Sequence, residues 1–212
     1  KGAVSFRVGR VKEQMKSVPE GAAANFAEEM RNHPIAEHTV DANKQHYEIP
    51  AEFFALCLGP KFKYSSCLYE PGDTLAQAEI RALTQTCEHA QLADGQDILE
   101  LGCGWGSMTL FMAERYHGAR ITAVSNSASQ RHFIESRARE QGLTNVRIIT
   151  ADMNVFHTDK RFDRIVSVEM FEHMSNWRAL LERCRKWLRP DGRLLTHVFA
   201  HRTAPYRFDV ND

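Results

Sequence analysis

The chain has 212 residues, which suits one large domain, or one domain with a small helical appendage, and is long enough to bury a hydrophobic core. Lysine plus arginine and aspartate plus glutamate both number 27, so the formal net charge is zero and a basic nucleic-acid-binding surface is not supported. The five cysteines are scattered and never spaced as C-x-x-C, which favours a reducing compartment over a disulfide framework or a zinc ribbon. No apolar run reaches membrane-spanning length and no signal peptide is recognised, so we expect a cytoplasmic protein.

The first fifty residues are polar and have a helical pattern. Apolar residues recur at helical spacing at Val4, Val8, Val11 and Met15, with basic residues around the other side. This pattern suits a helix on a membrane surface or a short helix packed on its own domain. We favour the packed helix and expect at most peripheral membrane contact. After a Pro-Glu-Gly break, a second helix is predicted from Ala23 to Asn32.

Further along the chain, helices begin to alternate with short strands. Thr74 and Gln77 form a capping-box pattern that opens a helix running to about His89. Beyond it, five strands are predicted at DILELG, RITAVS, VRIITAD, FDRIVSVEM and GRLLTHVF, and helices from Ser107 to Tyr116, Ser127 to Gln141 and Trp177 to Leu188. This alternation implies right-handed βαβ crossovers. The sequence therefore predicts an α/β fold with a doubly wound, mainly parallel sheet, preceded by an N-terminal helical segment.

A glycine loop, LGCGWG, follows the first predicted strand. Gly102, Gly104 and Gly106 lie between a strand and a helix, where the backbone of a doubly wound fold approaches a ligand, and Glu100 precedes them by two residues. Glycines also serve plain tight turns. Three of them between a strand and a helix favour a nucleotide-like ligand.

The ends of the next two strands distinguish between possible nucleotide ligands. A dinucleotide fold has G-x-G-x-x-G and an acidic residue closing the second strand, whereas this chain has the shorter G-x-G-x-G and ends that strand in Ser125-Asn126. The third strand ends in Asp152-Met153, a carboxylate that could accept from an adenine amino group and an apolar side chain that could lie on its ring. The pattern suits S-adenosylmethionine (SAM). The alternative interpretation is that Asp152 caps a helix and Met153 is a core residue.

The stretch VEMFEHM follows the fourth strand. On a helix, Glu169, Glu172 and His173 would lie at i, i+3 and i+4 on one face, although a segment that leaves a strand need not be helical. Metal ligation, acid/base chemistry and a salt-bridged helix are all compatible with this spacing. The first histidine of H-x-x-E-H is missing, so we expect no metal. Alternatively, Glu172 caps the next helix and His173 is a core histidine.

Seven motifs, in order between residues 43 and 201, resemble the cyclopropane fatty acid synthase superfamily of SAM-dependent enzymes. They are QHYEIPAEFF, LGPKFKYSSC, TLAQAE, ILELGCGWGS, AVSNSASQ, ITADM and SVEMFEHM. The last of these is most similar to the coclaurine N-methyltransferase-like branch. The resemblance implies a Rossmann-like class I SAM-dependent methyltransferase sheet over residues 91–212, with a helical, cofactor-covering region over residues 1–90.

The resemblance also implies roles for individual residues. Tyr64 and Ser65 match contacts to the methionine portion of SAM, and Gly102 and Gly104 match the loop beneath it. Ser125 and Gln130, with Asn126, match polar contacts around the ribose, and Asp152 and Met153 match the adenine site. Glu172 and His173 match the catalytic F-E-H, and His197 on the fifth strand matches a histidine facing the same pocket. We hypothesise that His173 is a general base, that Glu172 orients it, and that Glu169 attracts the ammonium form of an amine.

Two departures from the cyclopropane synthases favour amine methylation. Ser66 stands where those enzymes usually have cysteine, and Glu169 stands where they usually have a small or aliphatic residue. Family members also continue into a further substrate-binding segment, so we expect this chain to be part of a longer protein. Cyclopropanation or C-methylation of unsaturated acyl chains is the alternative activity. A catalytically silent SAM- or lipid-binding module is a third possibility, and a nicotinamide-dependent reductase is a distant fourth.

Overall fold

The computed structural model describes residues 5, 8–10, 12–13, 18–37, 50–201 and 204–205. Most of the predicted amphipathic stripe, at Val4, Val11 and Met15, and the start of the QHYEIPAEFF motif lie outside these residues. None of the described helices is long and apolar enough to cross a membrane.

Among the elements whose bounds lie within the described residues, three helices precede the sheet and three more lie between its strands. The helices are α1 (Ala22–Glu29), α2 (Ala51–Cys57), α3 (Leu75–His89), α4 (Ser107–Arg115), α5 (Ala128–Glu140) and α6 (Trp177–Trp187). The strands are β1 (Asp97–Leu101), β2 (Arg120–Ser125), β3 (Val146–Thr150), β4 (Phe162–Val168) and β5 (Leu188–His197). Short 3-10 turns cover Met30–Asn32 and Phe171–His173. The predicted helix that follows Pro19 and the capping box of Thr74 and Gln77 are both confirmed.

The five strands form one parallel sheet in the order β3-β2-β1-β4-β5. The chain runs outward from β1 to β3 and then returns to the other side of β1. The carboxyl ends of β1 and β4 therefore meet at the point where the strand order reverses, which is where doubly wound sheets bind their ligands. The predicted Rossmann-like α/β fold is confirmed.

The start of β5 differs from the prediction. The predicted strand GRLLTHVF begins at Gly192, after a helix predicted to end at Leu188, but β5 already begins at Leu188, which pairs with Phe162. The next pairing joins Arg164 to Arg193, so residues 189–192 lie opposite the single residue Asp163. The turn-forming residues therefore bulge within the strand, because pairing resumes on both sides of them.

Both faces of the sheet are buried, as the alternation of side chains along a strand requires. On one face, Leu99 and Leu101 belong to the same core cluster as Leu180 and Trp187 of α6. On the other face, Ile98 clusters with apolar residues of α3 and α4, among them Leu83, Cys87 and Met112. Each fully buried aliphatic side chain contributes about 1.5–3 kcal/mol. Helix α3 therefore packs into the core of the sheet, although it precedes β1.

Candidate active site

The three glycines of the loop after β1 have left-handed backbone conformations, with φ between 51° and 80°. They meet different surroundings. A Cβ on Gly102 would lie 2.7 Å from Cβ of Met170, and one on Gly106 would lie 2.6 Å from Cγ1 of Ile134, so protein packing requires both glycines. A Cβ on Gly104 would meet no atom of the described residues within 4 Å. Gly104 is thus the position of the loop that faces open space.

Glu100, at the end of β1, is a buried carboxylic acid beneath this loop. It is 4% exposed, and its Oε2 accepts a 2.5 Å hydrogen bond from the Thr109 hydroxyl. Burial raises the pKa of Glu100 to about 7, and the hydrogen bond from Thr109 acts in the opposite direction. This carboxyl group can therefore change charge near neutral pH.

A buried polar cluster follows β2. The hydroxyl of Ser125 donates to Oε1 of Gln130 at 2.6 Å and accepts the backbone N–H of Ser127 at 3.1 Å. Ser127 is the N-cap of α5, which turns the chain so that Gln130 returns to the end of β2, with Asn126 between the strand and the cap. Gln130 is 1% exposed. The structure thus brings the predicted residues Ser125 and Gln130 into direct contact.

The residues after β3 form a turn and not a helix cap. Oδ1 of Asp152 accepts the backbone N–H of Asn154 at 2.7 Å. The backbone carbonyl of Asp152 accepts the backbone N–H groups of Val155 and Phe156. The side chain of Met153 is 7% exposed and lies in the core cluster with Phe156. Met153 is therefore a core residue in this structure. Its contact with an adenine ring stays a prediction.

The stretch VEMFEHM is not one helical face. Glu169 has φ 52°, and its backbone N–H donates to the carbonyl of His197 at 2.8 Å, so the chain turns sharply at the end of β4. Glu172 and His173 follow in a 3-10 turn of three residues. The i, i+3, i+4 alignment expected on a helix is therefore absent, because a left-handed residue separates Glu169 from the turn.

The surroundings of Glu172 and His173 exclude the two structural alternatives. Oε1 of Glu172 accepts the backbone N–H of Phe199 at 3.2 Å, while the next helix is capped by Asn176, whose side chain accepts from Ala179 at 3.0 Å. His173 is exposed, and is thus not a core histidine. His197 is the last residue of β5 and pairs with Val168 at the end of β4.

Tyr64 and Ser65 lie on the segment between α2 and α3. Tyr64 is 65% exposed and touches Phe54 edge-on, with ring centroids 5.5 Å apart. The hydroxyl of Ser65 accepts a 2.6 Å hydrogen bond from Nζ of Lys63. The side chain of Lys63 is buried, and Glu169 is among the charges that act on it. The charge at the end of β4 therefore influences the segment before α3.

Sequence reasoning missed Lys63 and also Glu79, a fully buried carboxylate that accepts the backbone N–H of Lys63 at 2.9 Å. One signal could have revealed Glu79: it lies on the apolar stripe of α3 with Ala78, Ala82 and Leu83. A carboxylate on the buried face of an amphipathic helix needs hydrogen-bond donors. Nothing in the sequence indicates that those donors come from a loop sixteen residues earlier.

Three side-chain atoms in the described ranges are buried and lack a hydrogen-bond partner there. They are Oγ of Ser107, Nε2 of Gln130 and Oε2 of Glu172. They follow β1, β2 and β4, three adjacent strands, at the carboxyl end of each. Buried polar groups without partners are rare in native proteins. Their concentration at this edge of the sheet fits a site for a polar ligand.

No group of three histidine, cysteine, aspartate or glutamate side chains among the described residues is arranged to hold a metal ion. Within the stretch VEMFEHM, a left-handed bend at Glu169 precedes the short turn that carries Glu172 and His173.

The fold and the edge of the sheet define a Rossmann-like domain of the class I methyltransferase type. The family model described as mycolic acid cyclopropane synthetase matches residues 36–207. The chain therefore belongs to this family, and the predicted membership in the cyclopropane synthase superfamily is confirmed.

Relatives with known activities include both amine and lipid enzymes. The chain is 38% identical to (S)-coclaurine N-methyltransferase of Thalictrum flavum subsp. glaucum over 189 residues, which cover 89% of this chain and 52% of that enzyme. It is 31% identical to cyclopropane-fatty-acyl-phospholipid synthase of Escherichia coli (strain K12), over 78% of this chain and 42% of that enzyme. The chain thus spans about half the length of these relatives.

A crystal structure of coclaurine N-methyltransferase bound to N-methylheliamine and S-adenosylhomocysteine (SAH) has a similar fold. The TM-score is 0.94 at 35% identity, and the match covers 100% of this chain and 62% of that one. The predicted similarity to the coclaurine N-methyltransferase-like branch is confirmed.

Proposed function

We propose that the protein is a SAM-dependent methyltransferase that transfers a methyl group to the nitrogen of a small amine. The observation that carries the proposal is Glu172, whose Oε2 is buried without a partner among the described residues, next to His173 and after the strand that neighbours the glycine loop. The amine N-methyltransferases among the relatives support the same assignment.

The cofactor would be held along the carboxyl edge of the sheet. Tyr64 and Ser65, with Gly102 and Gly104, would contact its methionine portion. Ser125, Asn126 and Gln130 would contact the ribose, Asp152 and Met153 the adenine, and Glu100 would lie beneath the loop. The open space at Gly104 and the unpaired Nε2 of Gln130 fit this ligand. When bound, SAM supplies an activated methyl group on a sulfonium sulfur.

The protein's own chemical task is to bind the amine and remove its proton. Most aliphatic amines are protonated at neutral pH, and a protonated nitrogen has no lone pair with which to attack. Glu169 would attract the ammonium form, His173 would accept its proton, and Glu172 would orient His173. His197 lies at the same edge, because its carbonyl accepts the N–H of Glu169. Burial of the amine beneath a further segment would exclude water.

The second candidate is cyclopropanation or C-methylation of unsaturated acyl chains. The family model and the Escherichia coli relative favour it. Ser66 and Glu169 argue against it, since both depart from the pattern of the cyclopropane synthases. A catalytically silent SAM- or lipid-binding module is the third candidate, and the intact EMFEHM stretch argues against that.

An acceptor screen with SAM carrying a fully deuterated methyl group distinguishes these candidates. The full-length protein is incubated with a panel of small amines and with phospholipids that contain unsaturated acyl chains, and products are measured by mass spectrometry. N-methylation retains all the deuterium of the methyl group, whereas ring closure loses one deuterium. A lipid product lacking one deuterium would refute amine methylation, and cofactor binding without any product would support the silent module.

We also propose a cytoplasmic location, no nucleic-acid partner, and a functional division near residue 90. The five cysteines are free in the structure, which fits a reducing compartment. Residues 1–90 would supply the helical, cofactor-covering part, and residues 91–212 the SAM-binding part.

A further inference from the structure

Lys63 is a buried lysine next to the candidate cofactor site. Lys63 is only 7% exposed, and its Nζ donates a hydrogen bond to the hydroxyl of Ser65 at 2.6 Å. Lysine is rarely buried unless its charge has a partner, because removing an ammonium group from water is costly. Lys63 is therefore not an ordinary solvent-exposed lysine, and its ammonium group is expected to have an anionic partner.

The backbone around Lys63 is fixed by Glu79 of α3. The two carboxylate oxygens of Glu79 accept the backbone N–H groups of Lys61 at 3.0 Å and Lys63 at 2.9 Å. Gly59 permits this close approach, since a Cβ at that position would overlap the Glu79 carboxylate. Glu79 is thus occupied by backbone donors, and it anchors the segment that carries Lys63 to a helix of the core.

The ammonium group has unused donors and no paired anion in the described part of the chain. None of the ion pairs formed there involves Lys63. An ammonium group has three N–H donors, and Ser65 accepts one of them. Burial lowers the pKa of Lys63, while the charges of Cys67, Glu169 and Glu79 raise it. An anion brought by a ligand would compensate the buried charge.

We propose that Lys63 binds the carboxylate of the methionine portion of SAM, with Glu79 as the residue that positions its segment. The inference rests on the proposed function, because Tyr64 and Ser65, the two residues that follow Lys63, are the proposed contacts to that portion. The carboxylate is the anionic group of SAM, and the adenine and ribose carry no charge. Lys63 would therefore recognise a part of the cofactor that takes no part in methyl transfer.

The test compares two ligands that differ only in this carboxylate. Affinities for SAH and for decarboxylated SAH are measured by isothermal titration calorimetry on the intact protein and on the Lys63→Met variant. We expect Lys63→Met to weaken SAH binding by about tenfold or more, as for loss of a charged hydrogen bond, and to change binding of the decarboxylated ligand by less than about twofold. Lys63→Gln, which keeps a polar N–H donor but has no charge, should show the same selective loss.

Lys61→Met is the matched control. Lys61 lies two residues before Lys63 in the chain, and its ammonium group pairs with Glu114 at 2.5 Å. The variant removes one positive charge from the same segment and should leave both affinities within about twofold. Equal weakening of both ligands by Lys63→Met and Lys63→Gln, or no weakening of either, would overturn the assignment. Failure of the wild-type protein to bind either ligand would instead overturn the proposed cofactor, and the assignment with it.

Discussion

The carboxylate of Glu172 accepts the backbone N–H of Phe199 at 3.2 Å, which connects the turn after β4 to the chain that leaves β5. Its other oxygen is buried and unpaired in the described part of the chain. Oε1 of Glu172 thus binds the backbone after β5, and Oε2 is available to bind another group. This division suits a residue that both shapes the site and orients a base.

We predict that Glu172→Gln will separate these two roles. Glutamine can still accept from Phe199 through its amide oxygen, so the fold should be retained, but its amide nitrogen cannot accept a hydrogen bond from a ring N–H of His173. Turnover should fall by about a hundredfold or more, while the Kd for SAH should stay within about twofold. Glu182→Gln, on the exposed side of α6, is the control and should leave both quantities unchanged. Near-normal turnover of Glu172→Gln would contradict the proposed role.

His173→Asn tests the general base through its pH dependence. An amine that has already lost its proton to solvent needs no base on the enzyme. The loss of turnover in His173→Asn should therefore become smaller as the pH rises toward the pKa of the acceptor amine. We expect turnover to be reduced by about 10²–10⁴-fold at pH 7 and to recover steadily in a profile of kcat/KM between pH 7 and pH 10. A loss that is the same at every pH would indicate a structural role for His173.

Glu100 should make the stability of the ligand-free protein depend on pH. Its folded pKa of about 7 lies above its ordinary value of 4.5, so the folded state holds a proton that the unfolded state releases. The free energy of unfolding should therefore decrease as the pH rises from about 4.5 to 7, by roughly 3 kcal/mol at most. Glu100→Gln, which imitates the protonated acid, should remove this decrease.

The measurement is thermal unfolding of wild-type and variant protein at pH 5 and pH 8. Glu100→Gln should raise the Tm at pH 8 and change it much less at pH 5. The exposed Glu88 of α3 provides a control, since Glu88→Gln should not alter the difference between the two pH values. If Glu100→Gln destabilises the protein at pH 8, the carboxyl group is held in its charged form and the expectation is wrong.

Two glycines of the same loop should respond differently to alanine. Both have φ above +50°, so each substitution costs about 1–2 kcal/mol of backbone strain. Gly102→Ala should lose further stability through overlap with Met170, whereas Gly104→Ala adds a methyl group to open space. We expect urea unfolding to show the larger loss for Gly102→Ala. Gly104→Ala should weaken SAH binding in calorimetry, and unchanged affinity would remove Gly104 from the cofactor site.

Local sequence patterns were sufficient for the architecture. Strand and helix positions follow from apolar periodicity, and the start of α3 follows from the capping box of Thr74 and Gln77, because both signals depend on residues close in the chain. The position of the glycine loop at the end of β1 was predictable for the same reason. The bulge at residues 189–192 was not, since the pairing of β5 with β4 resumes on both sides of the turn.

The sequence by itself determined the α/β fold, the family and the chemical types of the candidate site residues. Only the tertiary structure decided how those residues meet. Glu169 lies in a left-handed bend and not on a helical face with Glu172, because its backbone N–H is bound by the carbonyl of His197 on the neighbouring strand. Lys63 and Glu79 are joined across sixteen residues by the folding of a loop against α3. Such contacts depend on long-range packing, which local sequence patterns do not specify.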